Sequence, residues 1–192
     1  MLFPDPERIG MLKAPKRLFF IEGNIGIGKS TLLQNLKQSM PNGVEVLFEP
    51  VEEWKNVIVD KKNNKNLLHA MYDGEISPAV FQLAVLQSRF SLLIKTLFNP
   101  LVKTVISERG PWSENYVFAK SNLSECDYET YIYTQRAMMD SLFDLIGPID
   151  ISFIYLDLDS STILKRIRKR GRKEENNITE EYILKLQKAH IE

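Results

Sequence analysis

The chain has 192 residues, 44% hydrophobic and 26% charged, with 25 basic and 25 acidic side chains that cancel. At roughly 100–200 residues per domain this predicts a single domain, 1–192, able to bury a core without disulfides. Zero net charge argues against a dedicated nucleic-acid or membrane-surface binder, while two histidines and one cysteine, Cys126, nearly exclude a zinc site and fit a reducing compartment.

The first sixteen residues lack a signal-peptide hydrophobic region, and Asp5 and Glu7 speak against a mitochondrial transit peptide. No apolar run reads as the roughly 20 residues that span a bilayer. The expectation is a soluble, cytoplasmic protein with neither membrane nor nucleic acid as partner. Residues 17–22 form an apolar run, suited to a strand covered on both faces, that enters a glycine cluster. From 29 to 39 the pattern turns helical, with Leu32, Leu33 and Leu36 on one side, until Pro41-Asn42-Gly43 stops it. Residues 44–49 read as a second strand ended by Pro50, 101–107 as a third that leads into Glu108-Arg109-Gly110-Pro111, and 149–156 as a fourth that closes on Asp157. Between the second and third strands lies a mainly helical insertion. Residues 61–66, Lys-Lys-Asn-Asn-Lys-Asn, read there as an exposed connection. Pro78 suits a first helical turn, and Ala79, Leu83, Leu86, Phe90, Leu93 and Leu97 follow at helical spacing. Residues 127–146 read as another long helix. Strands separated by helices predict an α/β, doubly wound parallel sheet of about four to five strands, with ligands at the strands' carboxyl ends.

Gly23-Asn24-Ile25-Gly26-Ile27-Gly28-Lys29-Ser30-Thr31 matches G-x-x-x-x-G-K-[ST]. Glycines let backbone N–H groups converge on phosphate oxygens, the lysine reaches the outer phosphates and the Ser30 hydroxyl suits Mg²⁺. The motif follows a predicted strand and opens a predicted helix, which is its confirming context. No N-K-x-D guanine-recognition tetrad accompanies it. Glu49 and the pair Glu108-Arg109 sit at the ends of the second and third strands, beside this loop. One carboxylate there can accept a proton from an attacking hydroxyl and another can hold Mg²⁺, while the arginine neutralises a transferring phosphoryl group. On the long helix Gln82, Val85 and Arg89 fall at i, i+3 and i+7, so amide and guanidinium donors share one stripe suited to a heterocyclic base. Residues 165–173 pack seven cations into nine positions, followed by Glu174 and Glu175. A nuclear-localisation patch has similar composition. After the fourth strand and beside a phosphate loop, the expectation is instead an arginine-rich helical lid, about 166–178.

Taken in order, these motifs resemble the deoxyribonucleoside kinase family of deoxycytidine, deoxyguanosine and mitochondrial-type thymidine kinases. The likeness runs through the phosphate loop, Phe48-Glu49-Pro50-Val51-Glu52-Glu53-Trp54, Met71-Tyr72, Phe81-Gln82 through Arg89, Glu108-Arg109, Tyr116-Val117-Phe118-Ala119 and Arg170-Gly171-Arg172-Lys173-Glu174-Glu175. The chain looks like the compact members found in large DNA viruses.

The resemblance implies a P-loop kinase that uses ATP and Mg²⁺ to phosphorylate the 5′-hydroxyl of deoxynucleosides in nucleotide salvage. It implies Glu49 as the base on that hydroxyl, Arg109 beside it, and Glu108 with the metal. Tyr72 and Glu175 correspond to the pair on the sugar 3′-hydroxyl, Gln82 to the glutamine on the base edge, and Phe81, Trp54 and Phe118 to aromatic walls. Arg166, Arg170 and Arg172 correspond to lid cations, and the family implies a homodimer pairing the helices near 78–98 and 127–146. Two positions depart from the family pattern. Gly110 and Pro111 follow Glu108-Arg109 where Ser is usual, and Glu114 stands where deoxycytidine and deoxyguanosine kinases commonly have Asp. An Arg89–Glu114 pair favours bases with an amino group, hence deoxycytidine or deoxypurines over thymidine. Relatives usually continue past the point matching Glu192, to a fifth strand and a loop near the donor adenine. Two alternatives remain open on the residues alone: a nucleoside-monophosphate kinase of thymidylate type, and a non-catalytic nucleotide-binding switch.

Overall fold

A computed structural model describes residues 16–147, 149–172, 175 and 178–191. In chain order its elements are β1 (Lys16–Gly23), α1 (Lys29–Lys37), β2 (Val44–Leu47), α2 (Val51–Asn56), β3 (Ile58–Asp60), β4 (Lys65–Asn66), α3 (Leu67–Tyr72), α4 (Pro78–Leu97), β5 (Thr104–Glu108), α5 (Glu125–Ile146), β6 (Ile149–Leu156), α6 (Ser160–Arg170) and α7 (Glu180–Ile191). Between β5 and α5 runs a π-helical stretch, Glu114–Ala119, flanked by single turns at Pro111–Ser113 and Lys120–Asn122.

Four strands form one parallel sheet in the order β2-β5-β1-β6. Side chains alternate across a strand, so each strand feeds two cores. Leu18 and Phe20 of β1, Leu47 of β2 and Val105 of β5 pack under α4 and α5 with Leu93, Leu97, Met139, Leu142 and Ile146. Ile21, Val46 and Ile106 face the other way, onto Leu33 and Leu36 of α1. Helices therefore cover both faces, as the doubly wound reading requires. β6 is an edge, and its Phe153, Ile154 and Tyr155 are partly exposed.

The structure corrects several sequence-based boundaries. The third strand begins at Thr104, because Leu101 lies in an exposed turn and Val102 N–H bonds back to the Asn99 carbonyl. The polar connection is the tip of an antiparallel hairpin, β3–β4, whose Asp60 accepts the N–H groups of Lys62 and Asn63. α5 starts at Glu125, where Ser124 Oγ accepts the Asp127 N–H. α4 starts as expected, with Ser77 accepting the Val80 N–H and Pro78 in the first turn. By length and composition its 20 residues suffice to cross a membrane, which the apolar-run reading did not register. Leu86, Leu93 and Leu97 of this helix are buried within the fold instead.

Candidate functional site

One cavity of about 1160 Å³ runs from the phosphate loop to the hydrophobic wall of α2, α3 and α4. That exceeds the roughly 300–1,000 Å³ typical of a single-ligand pocket and leaves room for two ligands end to end. At one end the loop turns from β1 into α1, and Gly28, Lys29, Ser30 and Thr31 at the start of that helix line the cavity, where a helix N-terminus favours an anion. Gly26 (φ 74) and Gly28 (φ 113) need the left-handed region, and a Cβ on Gly26 would stand 2.6 Å from Ile167 Cγ1. Asn24 turns away from the cavity. Its Nδ2 donates to the Ile183 carbonyl (2.8 Å), tying the loop to α7, while Ile27 packs with Ile163, Ile167, Ile178 and Ile183.

Lys29 is buried, and its Nζ donates to the carbonyls of Gly23 (3.0 Å) and Asn24 (2.8 Å). Burial pushes its ammonium down to about 7, helped by the Arg109 charge and opposed by Glu49, Glu108 and Glu22. Ser30 Oγ donates to Glu108 Oε1 (2.8 Å), so the hydroxyl and carboxylate proposed for a metal lie side by side. Both are hard oxygen donors, which fits Mg²⁺ held mainly through waters and phosphate. No cluster of three or more acidic, His or Cys ligands occurs among the described residues.

The strand ends supply the next charges. Glu49 stands two residues past the end of β2, and Pro50 begins the exit into α2. Arg89 Nη2 pairs with Glu49 Oε1 and lies 3.1 Å from Glu114 Oε1. Burial works to raise the Glu49 carboxyl, but Arg89, Arg109, Lys29 and Arg172 outweigh it and hold the group below its ordinary value. Glu114 goes the opposite way, because burial pushes its carboxyl up and Arg89 only partly offsets that. Arg109 sits immediately past β5 in the left-handed region (φ 63), donating from Nη1 to the Gly23 carbonyl (2.9 Å) with its guanidinium 4.5 Å from the Phe118 ring centroid. The π-helical stretch carries Glu114 and Phe118 to the same cavity wall.

The far wall is apolar. Trp54 and Phe81 meet edge to face, centroids 6.3 Å apart, and Trp54 Nε1 donates to Ser88 Oγ (2.8 Å). Gln82, Val85 and Arg89 line the cavity as one stripe of α4, and Gln82 Oε1 is buried without a protein partner. Leu68, Met71, Asn122 and Tyr182 also face this space, unforeseen as site residues because each reads as ordinary core or surface.

From α6, Arg166 Nη1 donates to the Ile27 carbonyl (2.7 Å) against the phosphate loop. Arg170 grips both oxygens of Glu175, and Arg172 stands 3.5 Å from the same carboxylate. Glu175, expected on the sugar, is thus joined to Arg170 and Arg172. The backbone of Tyr72 ends α3, but its side chain lies outside the described residues, as do Lys173, Glu174, Asn176 and Asn177 of the expected lid segment.

Residues 19–192 match the deoxynucleoside kinase family. The chain is 37% identical to the deoxycytidine kinase of Homo sapiens in an alignment covering 88% of this chain and 72% of that protein. It is 29% identical to the mitochondrial deoxyguanosine kinase of Xenopus laevis (88% and 70% covered). Identity to the thymidine kinase of Ictalurid herpesvirus 1 (strain Auburn) is 34% (94% and 74% covered).

Proposed function

The chain belongs to the deoxynucleoside kinase family, and on that premise we propose that it transfers the γ-phosphoryl group of ATP to the 5′-hydroxyl of a deoxynucleoside, preferring deoxycytidine or a deoxypurine to thymidine. Membership makes it an enzyme that phosphorylates nucleosides and sets aside the monophosphate-kinase and switch readings. One observation carries the finer reading: a single guanidinium nitrogen, Arg89 Nη2, bridges Glu49, the candidate base, and Glu114, the candidate acceptor for the nucleobase.

The nucleoside lies with its base against Trp54, Phe81 and Phe118. Gln82 Oε1, unsatisfied by the protein, accepts from the base, and the Glu114 carboxylate, supported by Arg89, accepts from an exocyclic amino group. Thymine offers no amino group there. Tyr72 and Glu175 take the 3′-hydroxyl.

Glu49, held as a carboxylate, takes the proton of the 5′-hydroxyl as its oxygen attacks the γ-phosphorus and the bond to the departing ADP breaks. Lys29, Arg109 and the lid arginines Arg166, Arg170 and Arg172 neutralise charge on the phosphates. Ser30 and Glu108, side by side, would hold Mg²⁺, which would supply screening of the phosphate charge. The same reading pairs two copies through α4 and α5, which expose Val80 and Tyr133.

The test is product formation from Mg²⁺–ATP with each of the four deoxynucleosides, thymidine monophosphate competing, on wild type and Glu49→Gln. Turnover led by deoxycytidine or a deoxypurine is expected, with kcat lowered roughly 10²–10⁴-fold in the variant. Thymidine as the best substrate would overturn the base assignment, and near-normal turnover of Glu49→Gln would remove Glu49 as the base.

A further inference from the structure

Arg109 is one of two non-glycine residues with positive φ among the described residues, and its left-handed backbone needs surrounding contacts to persist. Two come from β1 main chain: Arg109 N–H donates to the Ile21 carbonyl (3.1 Å), and its guanidinium donates to the Gly23 carbonyl (2.9 Å). Two more come from side chains: Ser107 Oγ donates to the Arg109 carbonyl (3.1 Å), and Glu22 holds the other end of the same peptide. Glu22 Oε1 accepts the N–H of Gly110 (2.8 Å), the peptide just beyond Arg109.

Glu22 is 6% exposed, and its second oxygen, Oε2, is buried without a protein partner. Burying a carboxylate with one oxygen unsatisfied is costly, so simple packing at this strand end is better served by an apolar residue. Phe20, two residues earlier on the same strand face, blocks the other side of the peptide: a Cβ on residue 110 would stand 2.9 Å from its ring. Residue 110 is thus held between the Phe20 ring and the Glu22 carboxylate, with only its N–H directed at the latter.

We propose that Glu22 is a positioning residue for phosphoryl transfer, fixing the Gly110 peptide so that Arg109 keeps its left-handed conformation and its guanidinium stays between Gly23 and Phe118. Glu22 touches neither substrate in this assignment. It acts through Arg109, and so the inference rests on the role given to Arg109 above.

Turnover, nucleoside KM and thermal midpoint are compared for wild type, Glu22→Ala, Glu22→Gln, Glu22→Asp and Arg109→Ala, with the Gly110 amide followed by NMR. Misplacing a catalytic group by about an ångström costs on the order of 10²-fold. Glu22→Ala should therefore lower kcat about 10–100-fold with nucleoside KM within about threefold, and move the Gly110 amide proton upfield. Glu22→Gln keeps an oxygen acceptor of the same reach and should recover most of that loss. Glu22→Asp keeps the charge but is one methylene short, and should stay slow.

Normal kcat in Glu22→Ala alongside slow Arg109→Ala would overturn the positioning role, and so would Glu22→Asp outperforming Glu22→Gln. If Glu22→Ala does not fold, the order of the Gln and Asp variants decides alone. Full turnover in Arg109→Ala would instead sink the reading of Arg109 itself.

Discussion

Arg89 Nη2 pairs with Glu49 Oε1, and the same nitrogen lies 3.1 Å from Glu114 Oε1. The helix stripe assigned to the base and the carboxylate assigned to the sugar hydroxyl are therefore electrostatically linked. Arg89 Nε is buried without a partner, while Nη1 donates to the Glu108 carbonyl (3.5 Å) and the guanidinium lies 5.7 Å from the Trp54 ring centroid, so the two acids share its placement with these neighbours.

The link makes a pH prediction. Burial works to raise the Glu49 carboxyl, and Arg89 is the first of the cations that together hold it below its ordinary value. Arg89→Gln removes that cation, so the carboxyl must rise. The base acts deprotonated, and the acid limb of the kcat/KM profile, which reports the free enzyme, should move to higher pH. An unmoved limb in the variant would show that Arg89 does not tune the base.

Glu114 has the opposite tendency, its carboxyl pushed up by burial. Its proposed work is to accept from an amino-bearing base, and a charge-assisted hydrogen bond contributes roughly 1.5–3 kcal/mol. Glu114→Ala should therefore cut the kcat/KM preference for deoxycytidine over thymidine by about tenfold or more. Unchanged ratios would place base discrimination elsewhere, on Gln82 or the aromatic wall.

Much of this site is visible in the sequence because its parts carry local signatures. The phosphate loop announces itself by glycine spacing, and Glu49 and Glu108-Arg109 by charge at the end of an apolar run. β3 and β4 are too short, at three and two residues, to show a period. Glu22 was hidden for another reason: it reads as the last residue of a strand, and its partner Gly110 lies 88 residues away. The same distance hides why Gly110 replaces the family's usual Ser. Only the packing of β1 on the turn after β5 shows that Phe20 occupies the space a side chain there would need.

That packing gives a coupled pair. Gly110→Ser places a Cβ against the Phe20 ring, which is itself fixed by Trp112 and Phe153, both with centroids 5.7 Å away. Overpacking of this kind costs about 1–3 kcal/mol. Phe20→Leu alone removes aromatic contacts and also destabilises, but it opens room for the serine. A double-mutant cycle in urea should give a combined loss smaller than the sum, with a coupling of about 0.5–3 kcal/mol. Strict additivity would mean that the two positions relax independently and that Phe20 does not dictate glycine at 110.

His190 supplies a stability prediction on the side of the fold that packs behind Phe118. Its Nδ1–H donates to the Leu186 carbonyl (2.7 Å), Nε2 is buried without a protein partner, and the ring packs against Phe118 and Tyr155. Burial pushes its pKa down to about 4, aided by the Arg109 and Lys29 charges and opposed by the Leu186 carbonyl. The unfolded chain takes up this proton near 6.5, whereas the folded protein resists until about 4. Between those values the unfolded state binds more protons, so this contribution is complete above 6.5 and is lost as pH falls towards 4. In His190→Gln the slope of unfolding free energy against pH, measured by urea titration from pH 4.5 to 6, should be shallower than wild type by up to about one proton. Equal slopes would show that His190 accepts its proton inside the folded protein. The orphaned Nε2 would then have to face an acceptor, since a charged imidazolium needs one on each nitrogen.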